Sequence, residues 1–278
     1  MNSSMCRMAA FWAREKPQSM PELVDALIDS SRMDMYLEEL YGSTSHSDGW
    51  GYALYIHRDK GSFIYSKTLN PIYNTIEYTR LTGLTKLIMD SEYSFGFMHS
   101  RFASKSMPKG LLAVHPFISV GKDGSIIIVA HNGSLYGDKL NEDLGGVPGY
   151  AKLYPDSYLI ALYLARNNDD AVKAIRDLEN YTKTALNISV LVLNEINDEY
   201  KSDLYVYTFI ADDKRDDTKV LNYYRMGYAL KQDLQAVVSS TIADKLESYG
   251  WTVQDLYPKG DGFHVAFRNG RFKVTRIP

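Results

Sequence analysis

Along the chain, apolar positions fall mostly into strand-length runs, interrupted by two groups of segments with helical spacing. The first run contains Cys6. After it, Leu23, Val24, Leu27 and Ile28 recur as one helical face, and Ser19 with Glu22 forms an S-x-x-E capping pattern that predicts the helix start. Residues 50–57 and 62–68 predict a hairpin around Arg58-Asp59-Lys60-Gly61, followed by a helix at 77–90. Two further apolar runs, 93–101 and 126–132, each end in polar residues, and such ends are where reactive side chains gather. Helices are expected at 156–166 and 169–181, then strands near 187–194, 203–210, 220–226 and 235–240. Asn269-Gly270 between Val265-Ala266-Phe267 and Phe272-Lys273-Val274 predicts a type I′ hairpin. Strands in antiparallel pairs without regular βαβ alternation indicate an α+β layered fold.

Composition narrows this picture. Hydrophobic residues make up 45% and aromatics 13% of 278 residues, with no compositional break, which suits one domain with a substantial core. The net charge of −3 provides no positive field for a polyanion, so nucleic acid is not an expected partner. No apolar stretch is long enough for a membrane helix, and the N-terminus lacks a secretion-signal pattern; a cytoplasmic protein is expected. The single cysteine excludes a disulfide framework within one chain. Neither a phosphate-binding G-x-x-x-x-G-K-[ST] loop nor a G-x-G-x-x-G fingerprint occurs, so nucleotide cofactors have no support.

Five polar clusters stand out against apolar surroundings: Met5-Cys6-Arg7, the segment from His46 through Asp48, Gly49 and Trp50 to Gly51, the segment from His99 through Arg101 to Ser104, His131-Asn132-Gly133, and Asp156-Ser157. Together and in this order they resemble the class II glutamine amidotransferases, a branch of the N-terminal-nucleophile hydrolases, and in particular the compact stand-alone members. The resemblance runs through residues 6–160 and more faintly to Val237-Val238-Ser239-Ser240. It implies a four-layer αββα sandwich of two antiparallel sheets, spanning residues 6–278 as one domain, with residues 1–5 a removed leader or a misassigned start.

The residues can also be read by their chemistry. Amide hydrolysis needs a strong nucleophile with a base beside it. No histidine is close to Cys6 in sequence, but the α-amine of an N-terminal cysteine has a pKa of about 7.7–8.0 and is itself such a base. This requires residues 1–5 to be absent, because a peptide nitrogen cannot accept the thiol proton. The resemblance makes the Asn132 side chain and the Gly133 backbone N–H the oxyanion donors. It makes Arg101 and Ser104 the partners of the substrate carboxylate and Asp156 the partner of its ammonium. Asp48, Gly49, Trp50, His99 and His131 become scaffold around the site, with His115-Pro116 in the same role. Phe102 and Lys105 depart from the family, which more commonly carries tryptophan and histidine there.

The substrate expected is glutamine or a related γ-glutamyl compound, with no cofactor and no metal. A separate synthase subunit could accept the ammonia, and a homo-oligomer is left open. Two other readings stand beside this one. A binding module without turnover would follow if residues 1–5 stay attached. A metal-dependent hydrolase could draw on His46, Asp48, His99, His115 and His131, although these lack the short spacing of common ligand motifs.

Overall fold

The computed structural model describes residues 4–196, 199–268 and 270–278. In chain order its strands and helices are β1 (Ser4–Arg14), α1 (Met20–Arg32), α2 (Met35–Tyr41), β2 (Trp50–His57), β3 (Gly61–Thr68), α3 (Thr75–Met89), β4 (Tyr93–Ala103), β5 (Phe117–Val120), β6 (Ile126–Leu135), α4 (Gly137–Asp143) and α5 (Asp156–Arg166). They continue with α6 (Ala171–Asp177), β7 (Thr182–Ile196), β8 (Glu199–Phe209), α7 (Thr218–Tyr224), β9 (Met226–Lys231), β10 (Leu234–Ser239), α8 (Ser240–Ser248), β11 (Thr252–Asp255), β12 (Lys259–Arg268) and β13 (Arg271–Ile277).

Two antiparallel sheets result. One runs β11-β9-β10-β1-β4-β2-β3 and the other β5-β6-β7-β8-β12-β13; among the described residues a single pairing, Ser4 with Gly133, joins their backbones. Strand alternation sorts the side chains into layers. On the first sheet Ala9, Phe11, Trp50, Leu54 and Ala236 face α1, α3 and α8, whose apolar stripes include Leu23, Leu27, Leu84, Ile88, Ile242 and Leu246. Met8, Ala10, Trp12, Phe95 and Phe97 point the other way, onto Ile128, Ala130, Leu191, Leu204 and Val206 of the second sheet. The outer face of that sheet carries Ile127, Val129, Ile188 and Val190, covered by Leu140 of α4, Leu159 and Ile160 of α5, and Ile175 of α6. The architecture is therefore the expected four-layer αββα sandwich of two antiparallel sheets.

Several local expectations are corrected. The capping box does not form: Ser19 Oγ donates to Asp233 Oδ1, and Glu22 instead binds Lys231 and the Trp251 indole N–H. The expected strand at 220–226 is mostly helix α7, opened by Asp217, which accepts from the Lys219 and Val220 N–H groups. Its buried residues Val220, Tyr223 and Tyr224 have helical i, i+3, i+4 spacing, which overrides the β propensity of their types. The single helix expected at 169–181 is a short α-helix between two 3₁₀ turns. At 235–240 the strand stops at Ser239 and α8 begins. Arg268 pairs with Arg271 across the last hairpin as expected; Asn269 of its turn lies outside the described residues.

Candidate active site

The antiparallel register of β1 and β4 sets Cys6 directly opposite Arg101. Even positions of β1 and odd positions of β4 face the other sheet, so Cys6, His99 and Arg101 continue the inward rows of Met8 and Phe97. From the second sheet, Asn132 continues the inward row of Ile128 and Ala130. The Cys6 N–H donates to Asn132 Oδ1 at 3.1 Å. That donor fixes the orientation of the amide, because only the oxygen can accept. Asn132 Nδ2 is thereby turned the other way, buried and with no hydrogen-bond partner among the described residues. Gly133 follows at φ 151°, and a Cβ there would lie 1.8 Å from the Ala185 carbonyl oxygen, so only glycine fits.

Arg101 is fully buried. Its Nη2 donates to the Pro108 carbonyl at 3.0 Å, whereas Nε and Nη1 have no hydrogen-bond partner among the described residues. Burial pushes the guanidinium pKa down, opposed by the electrostatic fields of Cys6, Asp48 and Asp156. Asp48 clamps the end of β4: its carboxylate accepts the Ala103 N–H at 2.8 Å, and its own N–H donates to the Arg101 carbonyl at 2.9 Å. Gly49 accepts the Arg101 N–H through its carbonyl, in a left-handed conformation of φ 104° where a Cβ would meet the Thr68 carbonyl. Trp50 lies on the face of its sheet opposite to Cys6. It faces the helical layer and donates its indole N–H to Glu77.

Asp156 is the first residue of α5 rather than its N-cap. Its carboxylate accepts the N–H of Leu135, two residues beyond Gly133, and that of Ser157. Ser104 lies one residue past β4, with its hydroxyl 3.5 Å from that of Ser106. The buried histidines divide into separate groups. His131 Nε2 faces the Ala185 carbonyl at 3.1 Å and so carries the proton, leaving Nδ1 to accept from Ser157 Oγ at 2.9 Å. His99 Nε2 faces the His131 carbonyl at 3.2 Å, and its ring lies 4.0 Å, centroid to centroid, from that of His115. Burial pushes His99 down to about 3 and His115 well below its usual range, so both rings are neutral. His46 is elsewhere, bound to Asp34.

Asp34 is the site residue that the sequence did not disclose. It caps α2 by accepting the Tyr36 and Leu37 N–H groups. The same carboxylate meets Arg7 Nε at 2.6 Å and Nη2 at 2.9 Å, His46 Nε2 at 2.7 Å and Thr241 Oγ1 at 2.7 Å. Burial would raise its pKa, but Arg7 and His46 hold it well below the ordinary carboxylate range. Arg7, lying over the Tyr223 ring at 4.2 Å, donates to the Cys6 carbonyl, as does the Tyr223 hydroxyl at 3.3 Å. This network fixes the main chain at Cys6. Its visible signal was Arg7, a cation in an otherwise apolar strand that has to find a buried anion.

No protein-family model and no curated protein sequence matches the chain. Among solved structures it is similar to one described as the allosteric regulatory enzyme of purine biosynthesis, with a TM-score of 0.55 and 14% identity over 96% of this chain. The match covers 48% of that structure, so this chain spans about half its length. The likeness is one of fold.

Proposed function

We propose that this protein hydrolyses the γ-amide of glutamine or of a related γ-glutamyl compound, with Cys6 as an N-terminal nucleophile. The reading is carried by the meeting of Cys6 with Asn132 and Arg101 from three strands, two of whose side chains keep buried N–H donors without a partner among the described residues. The Cys6 α-amine takes the thiol proton as Sγ attacks the amide carbon. Asn132 Nδ2 and the Gly133 N–H receive the charge on the oxygen. The amine then returns the proton to the departing nitrogen, releasing ammonia or an amine and leaving a thioester. Water, deprotonated by the same amine, cleaves the thioester to regenerate the thiol. Arg101 holds the substrate carboxylate, with Ser104 as a further hydroxyl contact, and Asp156 holds the ammonium. A separate ammonia-accepting subunit is consistent with this reading.

A second reading, binding without turnover, belongs to a chain that keeps residues 1–5. It is favoured by Ser4 pairing with Gly133 and by Met5 being buried among Leu37, Val220 and Tyr223. Intact mass and glutaminase assay on the same preparation separate the two. Protein that begins at Cys6 should release glutamate, and Cys6→Ala should abolish release while keeping the fold. Turnover undiminished in that variant sinks the mechanism, and a full-length inactive chain supports the second reading.

A further inference from the structure

The proposed chemistry uses the Cys6 thiol but leaves idle the two neutral imidazoles beside it. One ligand-capable atom from each of Cys6, His99 and His115 lies within 4.8 Å of the other two, and all three residues are fully buried. Neither ring nitrogen of His115, nor Nδ1 of His99, has a hydrogen-bond partner among the described residues. Buried imidazole nitrogens are ordinarily paired, so three unpaired ones around a sulfur call for an explanation.

We propose that Cys6, His99 and His115 form a binding site for a borderline-soft divalent cation such as Zn²⁺, and that its occupation withholds the nucleophile. The donor set is one sulfur and two imidazole nitrogens with no carboxylate, which suits zinc and disfavours calcium or magnesium. Zinc bonds of about 2.3 Å to sulfur and about 2.0–2.1 Å to nitrogen require the donors to close in by on the order of 1 Å, within reach of side-chain rotation. His99 also has the outer partner typical of a ligating imidazole. Its Nε2–H is committed to the His131 carbonyl, which orients the ring and leaves the Nδ1 lone pair available. Arg101 shares this face, and Lys67, bound to the Val114 and Pro116 carbonyls, flanks His115. These two cations oppose a dication, so a thiolate is needed to offset them, and the site depends on sulfur rather than on the imidazoles alone.

Binding requires only side chains, so it holds whether or not residues 1–5 are present. The inhibitory consequence rests on the proposed thioester chemistry. In a chain beginning at Cys6, the freed amine becomes a fourth donor on the same residue as the thiolate.

Equilibrium dialysis of the full chain against Zn²⁺ alone should give one bound ion per chain. Cys6→Ser and His115→Gln should each weaken binding by at least about tenfold, the cost already typical of losing an outer-shell partner. His264→Gln, at a remote ring paired with Asp203, should leave binding unchanged. Co²⁺ added to the unsubstituted protein should produce a thiolate-to-cobalt charge-transfer band, a readout independent of how any variant folds. No bound ion, binding unaltered in Cys6→Ser, or a cobalt spectrum without that band overturns the site. In active preparations Zn²⁺ should suppress glutaminase turnover and a chelator should restore it; turnover undiminished at full occupancy overturns the inhibitory role. If no preparation has glutaminase activity, the proposed function fails while the dialysis and cobalt results still decide the metal site.

Discussion

Asn132 serves two ends of one side chain. Its oxygen is committed to the Cys6 nitrogen, so its nitrogen is left facing away, desolvated and unused. A donor prepared in this way strengthens its hydrogen bond only as charge develops on the substrate oxygen. Asn132→Ala should therefore lower kcat by about 10²–10³, equivalent to about 2.7–4 kcal/mol, with KM little changed. Steady-state glutaminase kinetics check this; a variant whose defect lies wholly in KM would make Asn132 a binding group instead. At this scale the sequence was informative where chemistry restricts residue type. Cys6, Arg101 and Asn132-Gly133 were singled out by the family resemblance, and the fold brings them together. Asp34 was not legible, since an aspartate before a helix looks like any N-cap until the fold brings Arg7 and His46 to it.

Between elements, Asp34 ties the start of α2 to β1 through Arg7 and to α8 through Thr241. Removing its charge strands a guanidinium that is itself fully buried. Loss of one partner from such a pair typically costs about 3–5 kcal/mol, more than a cap alone, so Asp34→Asn should destabilise the fold by that order. Urea unfolding measures it, and a loss below about 1 kcal/mol would show that the pair is weaker than its burial implies. The elements themselves were legible where periodicity was unambiguous, as in α1, α5 and the β2–β3 hairpin. They failed where local composition and tertiary context disagreed: tyrosine-rich α7 has β propensity but packs by helical spacing against Met5 and Leu37.

Over the whole molecule, buried ionisable groups make stability depend on pH. His46 is held neutral by burial, with its pKa lowered in the fold. The unfolded chain takes up that proton near pH 6.5 while the folded chain resists, so the stability is complete above 6.5 and falls as pH drops. The carboxylates of Asp34, Asp203 and Asp261 are buried, which alone would raise their pKa values, but their cationic partners lower them. Their contribution is present above about pH 4 and is lost as the pH falls further. His99, His115 and His131 are likewise held neutral by burial, so stability should decline below pH 6.5 and still more steeply below about 4, by up to about 1.4 kcal/mol per pH unit for each group titrating. Urea midpoints between pH 7.5 and 3.5 test this, and a flat profile would contradict it. The layered architecture was readable from the order of strands and helix groups, whereas the partition into two sheets depends on long-range pairings that no local pattern encodes.

Among the described residues those sheets share one backbone pairing, between Ser4 and Gly133. The sulfur and the guanidinium ride on one slab, the amide and the glycine on the other, and beside that pairing and the Cys6–Asn132 hydrogen bond it is the apolar filling between them that fixes their relative slip. The spacing of Cys6 and Arg101 against Asn132 and Gly133 is in this sense a property of Trp12, Phe97, Leu191 and Val206, residues outside the proposed site that set the gauge between the slabs.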